Sequence, residues 1–167
     1  MSGLVHALEQ RPAWQRHALN LAAAAAFGTA GYFAAMAWER LFPTPLHVAS
    51  APAACDLHQG ACTADFGAGR TVDLDIQPRS IPTLEPLTLQ VRFAGIDPDT
   101  AHVSFNGVTM NMGVIKGELV PAGQGLYTGT AVLPVCIRRR MDWEARVIAD
   151  DGDARWEAVF GFVVDER

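Results

Sequence analysis

Two methionines, Met110 and Met112, stand two positions apart in the stretch from Val108 to Gly113. If that stretch is extended, both side chains leave one face and start roughly 7 Å apart, near enough for flexible thioethers to converge on one ion. Uncharged sulfur suits a single Cu(I) ion, whereas Zn(II) calls for more histidine, cysteine or carboxylate. The same pair can instead fill a gap between two sheets. Asn111 and Gly113 favour a chain that turns at the end of a sandwich, where binding loops sit.

Three further residues can complete a soft site. Cys136 is separated from the run Arg138 to Arg140 by Ile137 alone, and guanidinium charge favours the thiolate, a soft ligand. Its other reading is a small buried hydrophobe beside a solvated basic turn. Met141 follows five residues on. His102 shares a strand face with Ser104 and Asn106 and is a supplementary nitrogen ligand or an exposed strand histidine. His47 and His58 have no partner at ligand spacing.

Cys55 and Cys62 bracket "DLHQGA", in which Gly60 supplies a turn. A bridge between them would staple a short loop and stabilise the fold by roughly 2 to 3 kcal/mol. The other pairings join Cys136 to one of the two. "DDGD" at Asp150 to Asp153 lacks the alternating ligands and terminal glutamate of a calcium loop and reads as a hairpin turn. There is no phosphate-cradling glycine loop, nucleophile elbow, C-x-x-C or zinc-hydrolase histidine pair, so an enzyme is not expected, and no small-molecule substrate is evident.

The elements that must position these residues begin with an anchor. From Ala18 to Trp38 roughly 21 residues run without a charge, enough at 1.5 Å each to cross a hydrocarbon core of about 30 Å. Tyr32 and Trp38 stand where an aromatic belt would sit, and Arg11 and Arg16 favour a cytoplasmic N-terminus, with the remainder outside the cytoplasm. "AMA" at Ala35 to Ala37 resembles a cleavage site, but the segment before it is long for a signal peptide. "PAAC" ending at Cys55 is a poor lipoprotein match. The chain bears a net charge of -5 with 13 Lys and Arg, a balance that repels rather than neutralises a nucleic-acid backbone.

Residues 39–54, with three prolines between Phe42 and Ala54, read as an extended linker. From Cys55 onward apolar alternation recurs between turns at intervals of roughly ten residues, the pattern of an all-β sandwich of about seven or eight strands. Val72, Leu74 and Ile76 alternate against Thr71, Asp73 and Asp75. Leu87, Leu89, Val91 and Phe93 do so against Thr88, Gln90 and Arg92. "DWEARVIA" and "RWEAVFGFVV" flank "DDGD" as a hairpin, and a short first strand is expected near Cys62 to Phe66. The expected organisation is a cytoplasmic segment at 1–17, a transmembrane helix at 18–38, the linker at 39–54 and a periplasmic domain at 55–167.

The stretch "PLTLQVRFAGIDPDTAHVSFNGVTMNMG", then "GELVPAGQGLYTGTAVLPV" and "MDWEARVIADD", resembles the membrane-anchored periplasmic FixH/YtkA-like proteins in the order of its pieces. The resemblance covers about 60 to 80 residues plus the anchor. It implies a mainly β fold, an immunoglobulin-like antiparallel β-sandwich after a single N-terminal transmembrane α-helix in the bacterial inner membrane. It also implies an association with copper handling or assembly of haem-copper cytochrome oxidases, with oxidase subunits or copper chaperones as partners.

Met110 and Met112 match that family's methionine-bearing loop, while Cys136 and Met141 follow the "LP" strand. This chain lacks the methionine- and histidine-dense loops of many copper carriers. The leading expectation is Cu(I) bound by Met110, Met112 and Cys136, with Met141 or His102 supplementary. A structural or assembly subunit that uses Met110, Met112, Trp143 and Trp156 as core or interface anchors is the second. A redox protein that pairs Cys136 with Cys55 or Cys62 is the third.

Overall fold

The computed structural model describes residues 13–41, 43–109, 113–135 and 140–165, which belong to two compact units, Met1–Pro43 and Thr44–Arg167. Among the described residues, the first unit holds one helix, α1 (Ala13–Leu41). Its alanine-rich interior favours helix and contains no proline, and Pro43 lies just beyond its end. The described side chains of α1 are exposed, and the span His17–Trp38 is apolar and long enough to cross a membrane. A helix that is apolar on every side suits lipid.

The second unit is mainly β, with nine strands among the described residues: β1 (Leu46–Ser50), β2 (Cys62–Gly67), β3 (Arg70–Gln77), β4 (Pro86–Ala94), β5 (Thr100–Gly107), β6 (Ile115–Gly123), β7 (Leu126–Val132), β8 (Arg140–Asp150) and β9 (Arg155–Asp165). Their order is β1-β9-β8-β5-β6-β7-β4-β3-β2. The first part of β6 pairs with β5 and its second part with β7. That switch folds one continuous sheet into the two layers of a sandwich.

Glycine permits the switch. A Cβ on Gly129 would lie 2.2 Å from the Glu118 carbonyl oxygen, so β6 can cross there only because β7 has no side chain at that point.

The alternation seen in the sequence becomes the core. Val72, Leu74 and Ile76 of β3 and Leu87, Leu89, Val91 and Phe93 of β4 face inward from one layer. Trp143, Ala145 and Val147 of β8 and Trp156, Ala158, Phe160 and Phe162 of β9 face them from the other. The hairpin across "DDGD" is present, with Asp150 paired to Arg155.

Two expectations change. The folded unit begins at Thr44, and β1 occupies part of the stretch 39–54 that reads as linker. Only Ala49 of β1 is buried, so the strand has no apolar alternation to announce it. It is held by pairing with β9, and that pair is parallel within an otherwise antiparallel immunoglobulin-like sandwich. The stack of His47 on Trp156, with ring centroids 4.3 Å apart, adds to the pairing.

Candidate functional site at one end of the sandwich

The strand register brings one set of chain ends together: those of β1, β3, β5, β7 and β9 and the starts of β2, β4, β6 and β8. The loop that follows β1 is closed by the Cys55–Cys62 disulfide. Cys136 is thus the one cysteine outside that bridge, and neither bridged sulfur is a free thiol for it to pair with.

The closed loop is tied to both layers. Leu57 is fully buried in the core. The His58 ring spans from the Arg79 carbonyl oxygen, 2.7 Å from Nδ1, to the Val163 carbonyl oxygen, 2.7 Å from Nε2. Both ring nitrogens lie against carbonyl oxygens, so neither is directed at an open coordination position. The Arg79 guanidinium donates to the Leu57 and Ile76 carbonyls and pairs with Asp75. Beside His58, the Asp56 carboxyl is held below its usual range because it accepts from the His58 amide and then from the Gln59 side chain.

Two open grooves meet at His58. One, of about 610 Å³, runs past Ala51, Asp56, Val108, Arg140, Asp142 and Gly161. The other, of about 780 Å³, runs past Ser80, Thr83, Val135 and Val164, and both share Asp56, His58, Val163 and Asp165. Their walls mix apolar surface with carboxylates, a lining suited to contact with another chain more than to enclosing a small molecule.

Of the five residues expected to ligate a metal, Met110, Met112 and Cys136 lie outside the described residues. Met141 and His102 are described, and they do not meet. Met141 is 2% exposed and packs in the core beside Val164. His102 pairs with Ile148 on the outer face, whereas Met141 shares the inner face with Trp143 and Val147. Ile148 is also seven residues along β8 from Met141, roughly 23 Å at the rise of a strand.

Burial holds the His102 pKa below its ordinary value of 6.5, helped by the charges of Lys116 and Arg155 and opposed by Glu118. Neither residue can supplement the other on one ion. Among the described residues no group of three or more His, Cys, Asp or Glu could hold a metal.

What the fold does supply is proximity of two stems. Gly107 pairs with Trp143, and the Val108 amide donates to the Asp142 carbonyl at 2.9 Å. The described residues that precede position 110 and those that follow position 139 are therefore neighbours in one layer. The sequence reading missed His58 as a strut and the edge of β9 as a groove wall. His58 depends on Arg79, 21 residues away, and Val163, 105 residues away, and the edge of β9 depends on where β1 stops pairing, so no local pattern marks either. No family model, curated protein or solved structure matches the chain.

Proposed function

We propose that the protein is a non-enzymatic, single-pass accessory factor of the bacterial inner membrane, akin to the FixH/YtkA-like proteins. In this reading its periplasmic sandwich binds or hands over Cu(I) during assembly of a haem-copper oxidase. Met110 and Met112 supply thioethers and Cys136 a thiolate, while Met141 and His102 are left out of the ligand set. The carrying observation is the bond from Val108 to Asp142, which sets the stems of both sulfur-bearing segments side by side. A three-coordinate soft site has an open edge through which a partner's thiol or thioether can take the ion.

A second reading is an assembly subunit that holds its partner without metal, favoured by the paired grooves about His58. Cells that carry the full chain or its Met110→Ala, Met112→Ala variant separate the two. The copper reading expects the variant to co-purify with oxidase subunits while the copper content of the oxidase falls. Unchanged oxidase copper would leave the metal-free reading standing.

A further inference from the structure

Strand β1 leaves β9 early. Its pairing covers Arg155 to Val159, and one further backbone bond runs from the Ala51 amide to the Val159 carbonyl at 2.8 Å. Pro52 then offers no N–H, and a turn closed by the Cys55 amide on the Pro52 carbonyl lifts the chain away. Strand β9 continues to Asp165.

Alternate residues of a strand direct their backbone polar groups to the same edge, so Gly161 and Val163 follow Val159 in facing away from β8. The contact of His58 Nε2 with the Val163 carbonyl fits this direction. Among the described residues, nothing on that edge bonds the Gly161 N–H and C=O or the Val163 N–H.

The 610 Å³ groove runs along this stretch. Gly161 is its low point: the residue is exposed, and a Cβ there would meet nothing within 4 Å. The charged groups of the groove are Asp56, Asp142 and Asp165 against Arg140.

We propose that the free edge of β9 accepts an extended, cationic segment of a partner protein as an added strand. The segment's backbone exchanges hydrogen bonds with Gly161 N–H, Gly161 C=O and Val163 N–H. Its Lys or Arg side chains lie against Asp142 and Asp165, and the His58 ring on the Val163 carbonyl closes one end and keeps the added strand short. A second copy of this chain is the poorer occupant, because it would bring the same carboxylates to the edge. This proposal does not rest on copper.

The test uses the full chain in detergent micelles, with amide spectra recorded during titration of the blocked peptide Lys-Val-Lys-Val-Lys. The expected result is shifted Gly161 and Val163 amides whose hydrogen exchange slows. Affinity should fall by about tenfold or more in Gly161→Pro, which removes the donor at an edge position that tolerates proline. Gly161→Val fills the groove without a clash and should weaken binding likewise if the proline variant does not fold.

Unmoved Gly161 and Val163 amides at millimolar peptide would overturn the proposal. So would equal binding of Glu-Val-Glu-Val-Glu, or full binding by the folded Gly161 variants. Concentration-dependent shifts of the same amides without peptide would assign the edge to a second copy instead.

Discussion

The amide of Val108 and the carbonyl of Asp142 are joined across 2.9 Å, and this bond ties the end of β5 to the start of β8. β8 begins at Arg140 and β5 ends at Gly107, so the strand end that precedes Met110 and the strand start that follows Cys136 are neighbours in one layer. Hydrophobic alternation fixes which faces of β5 and β8 are buried, and the register then fixes which chain ends are neighbours.

The disulfide joins cysteines seven positions apart in the sequence. Replacing both cysteines, Cys55→Ser with Cys62→Ser, is expected to lower stability by roughly 2 to 3 kcal/mol through the freed entropy of the unfolded loop. Urea unfolding of the variant measures it. An unchanged midpoint would mean that Leu57 and the His58 strut hold the loop without the bridge.

Asp151 accepts from the Trp156 indole N–H at 2.7 Å and from the Ala154 amide at 2.7 Å. These bonds, the indole first, hold its carboxyl below the usual range. A depressed carboxyl contributes stability that is complete above its unfolded value, near 3.8, and is lost as pH falls through the folded value. Asp151→Ala is expected to cost about 1 kcal/mol at neutral pH, since the indole of a buried tryptophan loses its acceptor. Its denaturation midpoint should also decline less steeply below about pH 4. An acid limb identical to that of the parent chain would contradict this assignment.

His102 titrates in the other familiar window. Burial favours its neutral ring, so the unfolded chain binds the proton more readily and stability is complete above about pH 6.5. Acidification toward the lowered folded value removes it. His102→Gln should flatten the change in stability between about pH 7 and pH 5, which urea midpoints across that range can follow. A slope equal to that of the unsubstituted chain would show that other groups govern it.

Gly129→Ala tests the crossing of β6 between layers. With its Cβ 2.2 Å from the Glu118 oxygen, the backbone must shift, and a loss of about 2 to 3 kcal/mol is expected. A thermal midpoint within a degree or two of the parent would mean that β6 has room to move there.

Strands β3, β4, β8 and β9 were legible because each buries one face, and burial writes a period of two into the sequence. The stretch "LHVAS" carries no such mark. Leu46 and Val48 point outward and only Ala49 is buried, so the information that makes it a strand resides in β9. The pairing of Cys55 with Cys62 was legible from their spacing about a glycine turn. The separation of His102 from Met141 was not, because each residue's face can be read along its own strand while the register between β5 and β8 cannot. His58 lies in the same class: its carbonyl partners belong to Arg79 and to Val163, and no local pattern names either.

The most direct test of the central claim is Cu(I) titration of the full chain in detergent micelles against a calibrated chelator under reducing conditions. The account predicts one-to-one binding that is lost in Met110→Ala, Met112→Ala and in Cys136→Ser, and kept in His102→Gln and Met141→Leu. Weak binding indifferent to the methionine and cysteine substitutions, or binding that depends on His102, would contradict it.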